Sequence, residues 1–393
     1  MKIVIEICFW VGIFIIFYSY LGYGILLFIL VKLKRAFSSS QKPESEADFL
    51  PNITHVIAAY NEEDFIREKI ANSLNLDYPK DKLKVIIVTD GSSDRTMDII
   101  KEYPEVEHHH EDKRSGKIAA VNRMIPFMKT DITVFSDANT LLNQDALKNL
   151  GRHFASSKVG LVAGEKRVLS KDKDGAAASG EGFYWKYESK LKKWDSELHS
   201  VVGAAGELFA IRTELFHPVD TNIVIEDFYI SLSLAMEGYK VVYEPDAYAM
   251  ESGSASVKEE LKRKIRIAAG GIQAIVKLKG LLNIFKYGVL SFQYISHRVL
   301  RWTLAPLCLI LVLLANIYLA YLQIPLYQLI LVCQIAFYAF SIIGWLLQNN
   351  NLKLKIFFIP YYFSMMNYAV FRGFFRYLKG SQSAVWEKAK RAA

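Results

Sequence analysis

Three stretches decide the architecture: ITHVIAAYNE at residues 53–62, VIIVTDGSSD at 85–94 and ITVFSDAN at 132–139. Each is a short, largely apolar run closed by a cluster of Asn, Asp, Glu, Gly or Ser. Strands buried on both faces read as continuous apolar runs rather than alternating ones, and turn-forming residues mark where the chain leaves the sheet. Leu161 to Gly164 is a fourth run of the same kind. Between the runs, amphipathic spacing predicts helices over about 62–76, 94–103, 116–128 and 144–154, the second entered through Ser92 or Ser93 as its cap. This alternation specifies an α/β fold on a mostly parallel sheet, and such open sheets bind ligands beyond the carboxyl ends of their strands.

The residues just past those ends are Tyr60-Asn61-Glu62, Asp90-Gly91-Ser92-Ser93-Asp94 and Asp137-Ala138-Asn139. Carboxylates and amides converging from three strand ends suit a ribose, a base edge and a divalent cation, which takes hard oxygen ligands. Taken alone, Asp90 to Asp94 reads equally as a turn followed by a helix cap. Neither a dinucleotide glycine fingerprint nor a P-loop occurs, which removes the usual phosphate cradle of hydride transfer and ATP hydrolysis. Lys113-Arg114-Ser115-Gly116-Lys117 offers cations at a helix start, where the dipole favours a diphosphate; a solvated helix start is the plainer alternative.

The 393 residues carry 48 Lys and Arg against 40 Asp and Glu, a net of +8. Residues 36–257 hold 26 basic against 36 acidic residues, while the remainder holds 22 against 4. A basic total alone would suit nucleic acid. An acidic block between basic flanks argues against a nucleic-acid partner and for a domain held at lipid headgroups. From Ile3 to Val31 the only charge is Glu6, a stretch longer than the roughly 20 residues that span a bilayer. Lys32, Lys34 and Arg35 after it place the following block in the cytoplasm. Trp302 to Leu352 holds no charged residue, and Gln323-Ile324-Pro325 splits it into spans of 302–322 and 325–348.

Ile356 to Phe371, with Pro360 and Asn367 inside and basic residues on both sides, fits a crossing, a re-entrant segment or an interfacial helix, and stays open. The expected organisation is a membrane helix over 1–35 and a cytoplasmic domain over 36–257, entered through a polar linker from Ser38 to Asp48. Basic amphipathic interfacial helices follow over 258–301, then membrane helices over 302–378 and a basic tail over 379–393. Cys8, Cys308 and Cys333 all lie in the apolar spans, which makes them packing residues rather than a disulfide framework or thiol metal site.

One ordered set of motifs runs through the chain: Ala58-Ala59-Tyr60-Asn61-Glu62, Thr89 to Asp94, Gly116-Lys117 with Asn122, Ser136-Asp137-Ala138-Asn139, Gly203 to Arg212, and Ile225-Glu226-Asp227. Lying between membrane segments, it resembles the membrane-integrated family 2 glycosyltransferases, the group of cellulose, chitin and hyaluronan synthases. The resemblance implies a glycosyltransferase A-type, Rossmann-like domain that uses a cytosolic nucleotide sugar, a UDP-sugar first, at the plasma or inner membrane. It implies a donor site of Ala58, Tyr60, Glu62, Asp90, Lys117, Asp137 and Asn139. Asp90 would face the nucleoside, Lys117 the diphosphate, and Asp137 would open the motif for a divalent cation, Mg2+ or Mn2+.

Asn139 stands where the family has a second carboxylate, so the ion gains one negative charge fewer. Glu226 and Asp227 match the family's Glu-Asp pair, with Ile225 in place of Thr. Asp227 is the implied base, taking the acceptor hydroxyl's proton as that oxygen attacks the anomeric carbon opposite the leaving diphosphate, with inversion. Without the family, the pair reads as an acidic helix start. Gly206, Arg263 and Arg266 fall on the implied acceptor or diphosphate side.

Processive members carry Gln-X-X-Arg-Trp near the position of Arg263-Lys264-Ile265-Arg266-Ile267; here the Arg is kept and the Gln and Trp are not. Arg298-Val299-Leu300-Arg301-Trp302 matches in part but comes later. The expected activity moves a sugar to a lipid-linked or growing polysaccharide acceptor, with membrane lipids and export or polymerisation partners admitted. Single addition and polymer synthesis stay open. The competing class is a membrane-anchored nucleotide-sugar-binding or transport protein without turnover. His108-His109-His110 cannot converge on one ion from a strand, whose successive side chains face opposite ways. Phe183-Tyr184-Trp185, with Tyr187 and Trp194, suits sugar stacking or core packing.

Overall fold

The computed structural model of the chain describes residues 1–37, 49–169, 176–253, 256–347 and 355–383. The linker expected from Ser38 to Asp48, the side chains of Phe183 and Tyr184, and the tail beyond Ser383 lie outside what is described. The chain opens with α1 (Lys2–Phe17), a π-turn (Tyr18–Gly22) and α2 (Tyr23–Phe37). The sheet domain follows as β1 (Ile53–Ala59), α3 (Ile66–Leu74), β2 (Leu83–Asp90), α4 (Thr96–Lys101), β3 (Glu107–Glu111), α5 (Lys117–Arg123), β4 (Ile132–Asp137) and β5 (Leu141–Leu142). It continues as α6 (Ala146–Gly151), β6 (Val159–Leu169), α7 (Ala176–Leu198), β7 (Leu208–Arg212), α8 (Glu226–Met236) and β8 (Lys240–Ser252). Then come α9 (Val257–Lys277), α10 (Ile284–Tyr287), α11 (Val289–Tyr294), a second π-turn (Ile295–Val299), α12 (Leu300–Trp302), α13 (Leu304–Tyr321), α14 (Pro325–Leu347) and α15 (Lys355–Leu378).

The apolar runs become strands because both of their faces are covered. Val56, Ile86, Val88 and Phe135 join a cluster with Ile118 of α5, Phe228 of α8 and Ala274 of α9. On the other face Ile57, Val85 and Ile87 meet Ile66 and Ile70 of α3 and Ile99 of α4. The eight strands form one sheet in the order β3-β2-β1-β4-β7-β6-β8-β5. The first four are parallel, β7 runs antiparallel between β4 and β6, β6 and β8 are parallel, and β5 closes the edge antiparallel to β8. This is the mixed, mostly parallel α/β sheet expected.

The helices are shorter than their periodicity suggests, because polar turns take up their first residues. The second is not capped by Ser92 or Ser93: Thr96 N–H donates to Asp94 Oδ1 at 3.0 Å, while Ser92 Oγ accepts from Asn61 N–H at 3.1 Å. On β3 the histidines alternate: His108 Nε2 and His110 Nδ1 both meet Thr89 Oγ1, at 2.9 and 2.8 Å, while His109 pairs with Glu107 at 2.7 Å.

Among the described residues, three helical segments are long and apolar enough to cross a membrane: Lys2–Phe37, Leu304–Tyr321 and Pro325–Leu347. α1 crosses α13 at Gly12, where a Cβ would lie 2.5 Å from Val312 Cγ2, so a small residue sets the close approach. The third C-terminal stretch is one helix, α15, continuous through Pro360. It packs on α14 beside Gly344 and on α9 beside Gly373, where a Cβ would lie 2.6 Å from Ala268 Cβ. α15 therefore joins the apolar bundle to the sheet domain.

Candidate active site

Register sets the site. Ala58 lies opposite Asp137 on one side, and Ala59 opposite Thr89 on the other, so the three polar turns open side by side. All seven expected donor-site residues, Ala58, Tyr60, Glu62, Asp90, Lys117, Asp137 and Asn139, line one cleft with Arg114 and Gly116. The turns are sewn together by side chains. Asn61, at φ 52°, accepts from Ser93 N–H at 2.8 Å, and Glu62 N–H donates to Thr96 Oγ1 at 2.7 Å.

Gly91, at φ 68°, is where the loop from β3 crosses: a Cβ would lie 2.8 Å from Arg114 Cβ, so only glycine fits. Asp90 holds that loop. Its Oδ2 accepts from Ser115 N–H at 2.8 Å and Gly116 N–H at 2.6 Å, and its Oδ1 from Arg123 at 3.0 Å. The Arg114 guanidinium lies 3.7 Å from the Tyr60 ring centroid, so one wall of the cleft is a planar cation on an aromatic face.

Lys117 is the hub. Its Nζ lies 2.6 Å from Asp137 Oδ1 and 3.2 Å from Glu226 Oε1, and donates to the Gly206 carbonyl at 3.4 Å. A Cβ at Gly206 would stand 3.3 Å from that Nζ and 3.5 Å from Asp227 Oδ2. The missing side chain thus leaves room for the Lys117 ammonium and the Asp227 carboxylate to flank one point. Burial works against a charge on Lys117, but Asp137 and Glu226 override it and hold the ammonium well above its ordinary pKa. Asp227 moves the other way: burial first, then the Glu226 and Glu207 charges, push its carboxyl up to about 7, against the pull of Lys117.

Arg266 belongs to this group. Burial lowers its pKa, opposed by the charges of Glu226, Asp227 and Asp137. Arg263 is drawn aside instead, bidentate to Glu260 at 2.9 and 3.1 Å.

Sequence reading missed Glu207 and Lys69 and set Trp302 aside. Glu207, next to Gly206, pairs with the fully buried Lys166 at 2.8 Å, and Lys166 and Arg263 hold its carboxyl well below the usual range despite burial. Lys69 of α3, fully buried, donates to the Thr140 carbonyl at 2.8 Å just past Asn139; burial pushes it down to about 7, with Asp137 opposing. Trp302, set aside because its motif comes late, packs against Phe228 with ring centroids 5.3 Å apart. A Cβ on Gly271, one helical turn beyond Ile267, would lie 2.5 Å from its ring.

Among the described residues no three His, Cys, Asp or Glu side chains group to hold an ion. Asp137 and Asn139 bring two hard oxygens to the cleft. A divalent ion that keeps its waters and takes its remaining ligands from substrate phosphates needs little more, so the donor set fits a cation arriving with a diphosphate.

A carboxylate-rich cleft at the carboxyl ends of a mixed sheet, with a lysine and arginine facing a base-like aspartate, defines a nucleotide-sugar transferase type of domain. The chain belongs to the glycosyltransferase like family 2, whose family model matches residues 51–270. It is 29% identical over 251 residues to the poly-beta-1,6-N-acetyl-D-glucosamine synthase of Staphylococcus aureus (strain MSSA476), over 61% of this chain and 60% of that protein. The synthase of the same name from Staphylococcus epidermidis is 26% identical over 316 residues, 75% of this chain and 73% of that protein. Among solved structures, the mannosyltransferase PcManGT from Pyrobaculum calidifontis, in complex with GDP-Man and Mn2+, superposes with a TM-score of 0.70 at 21% identity. That match covers 94% of this chain and 99% of that one, so the likeness of fold extends over the apolar helices as well as the sheet domain.

Proposed function

We propose that this chain is an inverting hexosyltransferase that moves a sugar from a nucleotide diphosphate donor to a polysaccharide or lipid-linked acceptor at the cytoplasmic face of a membrane. The observation that carries it is the pairing across Gly206: a permanently charged Lys117 joined to Asp137 and Glu226, and an Asp227 carboxyl raised to about 7. A carboxylate titrating near neutrality is matched to taking a hydroxyl proton, a contribution of roughly 10²–10⁴ in rate. Lys117 and Arg266 stand where charge develops on the departing diphosphate, and fixed cations there stabilise the transition state more than the ground state.

A divalent ion, Mg2+ or Mn2+, held by Asp137 and Asn139 would screen the same phosphates. Tyr60, Glu62 and Asp90 bound the nucleoside end. The synthase relatives support a growing glycan as acceptor, and the family motifs imply a nucleotide sugar as donor, UDP-linked first. The basic flanks and three apolar segments support a multi-pass protein with its transferase domain in the cytoplasm.

The test is a screen of UDP- and GDP-sugars with Mg2+ or Mn2+ and membrane extract, reading nucleoside diphosphate release and then product length. Asp227→Asn should abolish transfer while UDP or GDP still binds. Release by no donor would favour a binding or transport protein instead; transfer by Asp227→Asn would remove the base.

A further inference from the structure

The motif left unused by this chemistry, Arg298 to Trp302, is the centre of a buried polar network. Two carboxylates of α7, Glu188 and Asp195, are 1% and 0% exposed, and the segment 293–302 holds both. His297, also 0% exposed, places Nδ1 2.6 Å from Asp195 Oδ2 and Nε2 3.2 Å from Glu188 Oε1. Gln293 donates to Asp195 Oδ1 at 3.0 Å and to its carbonyl at 2.8 Å. Arg298 pairs with Glu188, and Arg301 lies 3.4 Å from it. Burying this many ionic groups is costly unless each is met, and together the pairs tie segment and helix into one body.

The same segment grips the first membrane helix. Tyr23 O–H donates to Asp195, Arg301 Nε donates to the Ser19 carbonyl at 2.8 Å, and Tyr18 and Ser296 share a hydrogen bond of 2.8 Å. Tyr18 and Ser296 each sit in a π-turn, Tyr18–Gly22 and Ile295–Val299. Such turns are rare and concentrate at functional positions; here two of them face each other. On its far side the segment reaches the reaction centre. Arg298 Nε donates to the Val202 carbonyl at 3.3 Å, and Ser200 N–H donates to Gln293 Oε1 at 3.5 Å, fixing both ends of the short loop segment leading to Gly203. Trp302 backs Phe228, the residue after Asp227, and Phe228 fills the space beside Gly203, where a Cβ would lie 2.3 Å from its ring.

We propose that residues 293–302 are a positioning element for the acceptor step: they fix the loop 200–206 and Phe228 against the first membrane helix, so that an acceptor presented from the membrane meets Asp227 in register. Arg298 is the positioning residue, because it touches the α7 carboxylate and the loop at once. This rests on the reading of Asp227 as the base. None of the contacts named above involves a residue that lines the donor cleft.

The test uses the full chain in lipid vesicles with two mild variants. Arg298→Lys keeps a charge for Glu188 and loses the bond to Val202; Tyr23→Phe removes one hydroxyl. Transfer to membrane-extract acceptor should fall at least tenfold in Arg298→Lys and about threefold in Tyr23→Phe. Affinity for UDP or GDP with Mn2+, and slow diphosphate release to water without acceptor, should stay within twofold. Wild-type transfer in both variants would overturn the proposal, as would parallel loss of nucleotide affinity and transfer, which marks a merely structural role. Failure of the base reading is separate: it would appear as transfer by Asp227→Asn, whatever the Arg298 variant does.

Discussion

Glu226→Gln isolates the electrostatic part of the site. Asp227 is raised to about 7 by burial first and by the Glu226 carboxylate second. The substitution keeps the shape and removes one charge. At an effective dielectric constant of about 20, two neighbouring unit charges interact by up to roughly 4 kcal/mol, and each pKa unit is about 1.4 kcal/mol, so losing the Glu226 charge lowers the Asp227 pKa by on the order of two. Lys117, which loses its contact with Glu226 at 3.2 Å and keeps Asp137 at 2.6 Å, acts in the same direction, since its charge already lowers Asp227. The midpoint should move down from about 7, with burial keeping it above the ordinary value.

The base must be deprotonated, so the rate rises with pH through this midpoint. At pH 6, below the wild-type midpoint, the base form is the minor one in wild type and should be several times more abundant in the variant. The plateau itself should fall, because a weaker base accepts a proton less readily. The assay is kcat/KM for transfer from pH 5 to 9, a quantity that reports groups of the free enzyme. A wild-type profile with no acid limb near 7, or a limb that Glu226→Gln leaves in place, refutes the assignment of Asp227.

Asp227→Asn should also change stability with a definite sign. A carboxyl raised to about 7 on folding stabilises the fold below its unfolded pKa, and this is lost as pH rises through 7; the variant's Tm should therefore decline less than wild type between pH 5 and 8. The two glycines of the loop should separate fold from chemistry. Gly203→Ala meets Phe228 at 2.3 Å with φ at 92°, and should lower Tm strongly in a thermal melt; Gly206→Ala puts a methyl 3.3 Å from Lys117 Nζ and should fold while losing transfer at least tenfold. Lys69→Met removes a buried amine that hydrogen-bonds Thr140 through both its carbonyl and its hydroxyl. Tm should hold or rise, as replacing buried charge by packing often does, while donor KM rises severalfold because the turn carrying Asp137 and Asn139 loses its anchor.

What the sequence made legible was local. Strands β1, β2 and β4 could be read because double-sided burial leaves an unbroken apolar run, and each polar cluster fell at a strand end because turn chemistry is written within four residues. Hence the residues read as a donor-side set all line one cleft. Arg266 and Arg263, three residues apart on α9, look equivalent by helical spacing, yet Glu260 one turn earlier captures Arg263 and leaves Arg266 to the acidic pair.

The Lys166 ion pairs show why the rest was hidden. Along β6 and β8, Gly164 pairs with Glu244 but Glu165 pairs with Tyr248, so residues 245–247 of β8 fall out of register. A shift in strand register decides which face each following side chain takes. Here it brings Lys166, on a strand that reads as ordinary, to Glu251 and to Glu207, 41 residues away. Glu207 in turn raises the base. No window of sequence contains that irregularity, so this further contribution to the Asp227 pKa, smaller than burial and Glu226, comes from a bulge that only the folded sheet discloses.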